Sequence, residues 1–309
     1  MPANYATVSD TSFSALHGHV AASLGASFGI LPAGVQLTFA IVFGLVIGSF
    51  LSVVAHRLPI MLERAWRDEI SGTTDQLPAD DGLPARYNLS VPRSACPHCG
   101  HVLRVWENIP VVSYVLLRGR CSACKAHVSV RYPLLEIASA ACAAGALSVF
   151  GPTTMALAAF GLCAALLATS AIDIDTHLLP DSLTLPLLWA GLIVNFNGMF
   201  ASLHSAVAGA IAGYLVLWVV HWVFKLVRGI EGMGYGDFKL LAALGAWLGW
   251  AALPQIVLIA AVTGAVVGLA ATWRGRMRFE EPLPFGPFLA AGGAITLFLG
   301  SPLYLALGG

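Results

Sequence analysis

The sequence predicts an all-α polytopic membrane protein, with about eight transmembrane helices interrupted by one small polar insert. Hydrophobic residues make up 58% of the 309-residue chain and charged residues only 10%, against about 25% charged in an ordinary soluble domain. Mean hydropathy is +0.80. Apolar runs close to the length that crosses a hydrocarbon core recur along the chain. The 16 Lys+Arg balance 16 Asp+Glu, which excludes a basic nucleic-acid binder, an acidic tail protein and a disordered chain. Six cysteines are too few for a secreted disulfide scaffold.

The runs fall at residues 35–55, 133–150, 153–172, 182–200, 203–224, 238–250, 253–273 and 285–305. Gly, Ala and Leu dominate them, as suits membrane helices whose backbones approach closely. The sixth is short and Gly-rich, so a tilted, broken or partly spanning helix is expected there. Four divisions follow: an N-terminal segment over 1–34, a first transmembrane helix over 35–56, a polar insert over 57–131 and a multi-helix core over 132–309. Within the insert, 68–93 is rich in Pro, Asp, Gly and Thr and reads as a loop or spacer.

Orientation follows from the basic residues. Ten of the 16 Lys/Arg lie between Arg57 and Arg131, three (Lys225, Arg228, Lys239) flank the link between spans five and six, and three (Arg274, Arg276, Arg278) lie between spans seven and eight. In an alternating eight-span chain all of them share one side. The positive-inside rule makes that side cytoplasmic and puts both termini outside. No basic n-region precedes an apolar stretch at the N-terminus, so the first span is the expected insertion signal.

The insert carries Cys96-Pro-His-Cys99 and, 21 residues on, Cys121-Ser-Ala-Cys124. Two CxxC knuckles offer four thiolates to one tetrahedral zinc ion, and Gly100 supplies the tight turn after the first. A reducing compartment disfavours the alternative of disulfides, and the lack of a βαβ pattern disfavours a redox dithiol. Four cysteines close the coordination shell, so the zinc is structural. His98, His101 and His127 are expected at the surface or behind the ligands, and Cys142 and Cys163 as small packing residues in spans.

Acids at the ends of spans carry the catalytic reading. Asp173, Asp175 and Asp181 cluster after the third span, and Glu231 and Asp237 flank the opening of the sixth. Charges there are expensive and usually face a cavity or a partner. Two carboxyls held close do not both ionise easily. One can then take a proton from water while the other polarises and protonates a scissile amide. Gly234 and Gly236 next to Asp237 would let a substrate backbone approach and would permit unusual φ angles. Plainer readings stand beside this one: Asp181 as a helix N-cap, Asp175 as a wet interfacial acid, and Glu136 paired with Arg131 or a helix N-terminus. The Gly-rich run 232–236 has no strand before it, against a dinucleotide loop.

Seven stretches in order, GSFLSVVAHRLP at 48–59, the double CxxC, WENIP at 106–110, RYPLLE at 131–136, IDIDTHLLPD at 172–181, GMGYGDFKL at 232–240 and PFGP at 284–287, resemble the type IV prepilin peptidases. These prepilin leader peptidase/N-methyltransferases are bacterial inner-membrane aspartic peptidases of the GxGD class. The resemblance covers nearly the whole chain beyond residue 40. It implies cleavage of type IV prepilins and pseudopilins after Gly at the cytoplasmic membrane face. It further implies methylation of the new N-terminal residue with S-adenosylmethionine as donor. Asp173 and Asp237 map onto the catalytic pair, Asp173 rather than Asp175 because the family's first aspartate stands several residues ahead of the Leu-Pro-Asp turn. The four cysteines match the family's zinc motif; no residue is carried over for S-adenosylmethionine. Ser52 stands where the family usually has Asn. The expected partners are prepilin substrates and the lipid bilayer, with no nucleic acid. A peptidase without methylation, a proton- or ion-coupled transporter and a zinc-bearing membrane scaffold are the rival readings.

Overall fold

The computed structural model describes residues 29–73, 84, 86–229, 233–275 and 283–300. Most of the expected N-terminal segment, the middle of the 68–93 spacer, Glu231, Gly232, Arg276, Arg278 and the far end of the eighth run lie outside these residues. Among the described residues nine α-helices form: α1 Ala33–Thr73, α2 Val112–Leu116, α3 Arg131–Phe150, α4 Thr154–Thr176, α5 Asp181–Val194, α6 Leu203–Arg228, α7 Tyr235–Leu248, α8 Leu253–Trp273 and α9 Gly286–Leu299. No β-strand appears among the described residues, only isolated bridges at Ala95–Val102 and Arg120–His127.

The eight long helices follow the eight apolar runs in order, but their lengths divide them. Five stretches, Ala33–Ile70, Arg131–Phe150, Thr154–Thr176, Leu203–Arg228 and Trp250–Trp273, are long and apolar enough to cross a membrane. The helices α5, α7 and α9 have 14 residues each, about 21 Å at 1.5 Å per residue. The sixth run is short as its glycines suggested. The fourth and eighth run shorter than their apolar stretches: α5 stops at Val194, where a 3-10 turn over Asn195–Asn197 leads to Gly198 at φ 70°, and α9 ends before Gly300 at φ 73°. In the opposite sense, α1 does not stop near residue 55. Its 41 residues continue through Pro59 to Thr73, so the start of the expected spacer is helical. The stretch LERAWRDEI is built of strong helix formers, with Glu63 and Arg67 paired one turn apart at 3.9 Å.

Small residues set the packing. A Cβ on Gly44 would lie 2.6 Å from Ala140 Cα, and one on Gly48 2.6 Å from Glu136 Cα. The backbones of α1 and α3 therefore touch, as at a small-xxx-small membrane interface. At the centre lies α7, buried on all sides from Asp237 to Trp247 save for Lys239; a helix apolar all round belongs inside a bundle. Asn195, fully buried, closes its C-terminal end: the amide donates to Ala246 O (2.8 Å) and Trp247 O (2.7 Å) and accepts from Phe200 N and Ala201 N. Four backbone groups that would otherwise be orphaned are thus satisfied.

The insert folds back onto α1 and α3. Buried Arg57 donates to Asn88 O at 2.9 Å and lies over the Tyr87 ring. Glu136 of α3 accepts from Val111 N at 2.7 Å.

Candidate active site and metal centre

Asp173 stands in the last turn of α4, which His177 ends in a left-handed conformation, its N–H donating to Asp173 O at 2.9 Å. Asp237 stands in the first turn of α7, after Gly234 as N-cap. Both carboxyls are buried, 4% and 7% exposed, and Asp173 is near enough for its charge to act directly on Asp237. The structure thus brings together two acids that lie 64 residues apart in the chain.

Two further residues build the site. The N–H of Gly286, at the start of α9, donates to Asp173 Oδ2 at 2.9 Å. A Cβ on Gly286 would come within 2.7 Å of that oxygen and 3.3 Å of Leu179 Cδ1. Leu179, in the α4–α5 link, also fills the space beside Gly236: a Cβ there would lie 2.5 Å from Leu179 Cβ. Leu179 is therefore a wedge between the supports of the two acids, joining α4, α7 and α9. Asp237 Oδ1 is buried with no hydrogen-bond partner among the described residues, an oxygen left for something else to bind.

Neither Gly234 nor Gly236 adopts the unusual φ expected of it: Gly234 is extended at φ −78°, and Gly236 lies within the helix. Space, not dihedral freedom, is what Gly236 provides. Open space surrounds the missing Cβ of Gly234. The remaining acids are committed elsewhere. Asp175 takes the Arg131 guanidinium, both groups exposed. Glu136, expected with Arg131 or a helix N-terminus, takes the second kind of partner: it is bonded to Val111 N, the N-cap of α2. Asp181 is the first residue of α5 rather than its cap, and both its oxygens accept from Lys239 Nζ, at 2.6 and 2.7 Å.

The four cysteines converge in the insert. Their sulfurs all lie within 4.8 Å of one another, with Cys96–Cys124 at 3.8 Å and Cys99–Cys121 at 4.0 Å. Zn–S bonds of about 2.3 Å in a tetrahedron put sulfurs about 3.8 Å apart, so the donor set fits zinc. Each knuckle turns on a left-handed residue, Gly100 at φ 70° and Lys125 at φ 61°. Gly100 N donates to Cys96 O, and Lys125 N to Cys121 O. Backbone N–H groups of Cys124 and Ala123 lower the Cys121 thiol, while its partner Cys124 is raised, the neighbouring thiols competing for one charge. Cys163 is buried in the core and Cys142 half-buried.

Glu107 ties the two knuckles together. Its buried carboxylate accepts from Arg104 N at 2.7 Å, contacts His101 Nε2 at 3.1 Å and bonds the Ser122 hydroxyl. The Arg104 N–H, with Ser122 and His101, lowers it from 4.5 to about 2. Sequence reasoning left Glu107, Leu179 and Gly286 without roles, although WENIP, the LLPD turn and PFGP each contain one of them. Nothing in a motif says which distant residue it touches.

Comparison with known proteins agrees with this architecture. Residues 42–150 match the family described as Bacterial Peptidase A24 N-terminal domain, and residues 160–269 match the Type IV leader peptidase family. The prepilin leader peptidase/N-methyltransferase of Burkholderia pseudomallei strain K96243 is 72% identical over 284 residues, 92% of each chain. The chain belongs to the prepilin leader peptidase/N-methyltransferase family. Relatives with the same description in Stutzerimonas stutzeri (52% over 264 residues, 85% of this chain and 91% of the relative) and Pseudomonas aeruginosa (51% over 263 residues, 85% and 90%) extend the match beyond one genus. No solved structure matches the chain. The first match covers most of α1, the insert and α3, and the second most of α4 through α8. Gly286 lies beyond both.

Proposed function

We propose that this chain is an aspartic endopeptidase that cuts the leader from type IV prepilins and pseudopilins, after Gly, at the cytoplasmic face of the bacterial inner membrane. The observation that carries the reading is the convergence of buried Asp173 and Asp237 around Leu179, with Gly286 holding one Asp173 oxygen. The cytoplasmic placement rests on the positive-inside rule applied to an alternating eight-span chain, in which every Lys and Arg falls on one side.

One carboxyl of the pair works ionised and draws a proton from the attacking water; the other works protonated, polarises the scissile carbonyl and then protonates the leaving amine. Asp237 Oδ1, buried without a partner among the described residues, is the oxygen free for water or the substrate carbonyl. The Gly286 N–H keeps Asp173 from turning away. A scissile bond inside a helix is internally hydrogen-bonded and must be drawn out before attack, and a Gly at the cut eases that unwinding.

The same chain is proposed to methylate the new N-terminal residue, the activity that its relatives' names carry. S-adenosylmethionine would supply an electrophilic methyl group for the α-amine. No described residue is assigned to hold it: the strand-to-helix turn of a Rossmann site is not formed around 233–236, which is helix start without a preceding strand. The zinc is proposed as structural, its four thiolates leaving no open position.

Mass spectrometry of a co-expressed prepilin tests both activities. Wild type should release a mature chain cut after Gly and heavier by about 14 Da (one methyl), and Asp173→Asn and Asp237→Asn should leave the precursor intact. Cleavage surviving both substitutions would discard the aspartate mechanism, and an intact precursor with wild type would make a transporter or scaffold the better reading. A cut product without the added methyl would leave a peptidase alone.

A further inference from the structure

A cleft lies away from the acids. A cleft of about 630 Å³ separates α1 from the insert, walled by Val42, Leu45 and Val46 on one side and by Leu103, Ile109 and Val112 on the other. Arg93 and Arg104 stand on its lining.

Its depth can be read from the packing. The Arg131–Asp175 pair, both side chains exposed, marks the wet boundary of the bundle on the basic side. Glu136 lies five residues further along α3, about 7.5 Å deeper at 1.5 Å per residue, and it is bonded to Val111 of the insert. The α1 wall lies deeper still, because Gly48 faces Glu136 and Gly44 faces Ala140. The insert therefore does not hang clear of the membrane. Its 105–116 edge descends to the depth of one leaflet's hydrocarbon, about 15 Å thick. The side chains there agree: Val105, Trp106, Ile109, Val112, Val115 and Leu116 are 45–82% exposed, which is costly in water and natural against acyl chains. This patch is continuous with the exposed Val42 and Val46 of the spanning helix.

We infer that this cleft is a binding site for an anionic phospholipid of the inner leaflet. One acyl chain lies between Val42–Val46 and Ile109–Val112, and the phosphate is held by Arg93 and Arg104. Arginines on an apolar cleft at this depth can reach up to the headgroup level, where they meet the negative charge of the leaflet. The zinc then has a mechanical purpose: it stiffens a short segment that lacks a core of its own, so that the segment can be pressed into lipid. Placement in the inner leaflet rests on the orientation proposed above; the lipid contact itself does not depend on the peptidase reading.

The test is native mass spectrometry of the full-length chain, delipidated and then offered phosphatidylglycerol and phosphatidylcholine with matched acyl chains. Phosphatidylglycerol should be retained at least tenfold over phosphatidylcholine. Arg93→Gln/Arg104→Gln should abolish the preference while keeping one zinc per chain. Val46→Trp, which fills the cleft and keeps both arginines, should displace the lipid; this variant decides the matter if the arginine variant loses its zinc. Equal retention of the two lipids, an undiminished preference in Val46→Trp, or equal competition by water-soluble glycerol phosphate would each overturn the proposal, as would displacement of the lipid by S-adenosylmethionine. The Asp173→Asn and Asp237→Asn chains should bind lipid like wild type, which separates failure here from failure of the peptidase reading.

Discussion

Gly286→Ala is the sharpest test of how the aspartate pair is held. The added methyl would sit 2.7 Å from Asp173 Oδ2 and 3.3 Å from both Asp173 Cγ and Leu179 Cδ1. Ordinary contact begins near 3.4 Å, so the carboxylate must withdraw by about 0.7 Å, and the 2.9 Å bond from Gly286 N lengthens with it. Displacement of a reacting group by about 1 Å costs on the order of 100-fold in rate. A 10- to 100-fold fall in prepilin cleavage is therefore expected, falling on kcat, with KM within about threefold. Overpacking of a buried site costs about 1–3 kcal/mol of stability, so the thermal midpoint should fall while the chain stays folded and zinc-loaded. Gly268→Ala in α8 is the control, because its Cβ would meet nothing within 4 Å. Both enzymes would be assayed in proteoliposomes on the same prepilin, following the loss of leader mass with time. Cleavage by Gly286→Ala within twofold of wild type would refute the claim that Gly286 positions Asp173.

Four other perturbations follow from the same geometry. Asp175→Asn should leave cleavage within a few-fold of wild type, since Asp175 is exposed and turned to Arg131, whereas Asp173→Asn abolishes it; equal losses would break the distinction between the two acids. Asn195→Ala should lower stability by about 3 kcal/mol or more, because buried Ala246 O, Trp247 O, Phe200 N and Ala201 N lose their partner; denaturant unfolding of the purified protein would measure it. Glu107 is lowered to about 2, chiefly by the Arg104 N–H, so its contribution is complete above about 4.5 and is lost as pH falls toward about 2. Wild type and Glu107→Gln should accordingly differ in hydrogen exchange over 101–128 at pH 7 and converge in acid; a gap of constant size would contradict the assignment. Cys99→Ser should reduce metal content below one zinc per chain and raise exchange in the same segment, as elemental analysis and exchange mass spectrometry would register.

The parts legible in the sequence were those written in consecutive residues. Apolar run length located the eight long helices of the described residues, and the spacing of Cys96, Cys99, Cys121 and Cys124 announced a cluster that closes to sulfur separations of 3.8 and 4.0 Å. What stayed hidden has two physical causes. Run length measures hydrophobicity, not helix: α1 persists to Thr73 on charged helix formers after the apolar stretch ends, and α5 stops short of Phe200 because Asn195 leaves the helix to cap α7. Contacts between distant residues leave no local pattern. The bond from Gly286 to Asp173 spans 113 residues, and the PFGP motif that contains it reads only as a turn. Glu136 is the same case: an acid near a helix start has an obvious local partner in Arg131, yet the fold gives it Val111 N.

The short central helix explains why the acids sit where they do. At 14 residues, α7 covers about 21 Å of a hydrocarbon core about 30 Å thick. Asn195 pins its C-terminal carbonyls to the turn between α5 and α6, and Asp237 stands in the first turn at the other end, two residues after the helix starts at Tyr235. Its carboxyl is buried, with Leu179 against neighbouring Gly236 and open space beside Gly234. Asp173 is placed by the opposite route, one turn before the end of a 23-residue helix. One acid stands at the end of a long helix, the other at the start of a short one, and α9 meets the first with the Gly286 N–H. On the function proposed above, that arrangement would offer both buried carboxyls to one substrate chain.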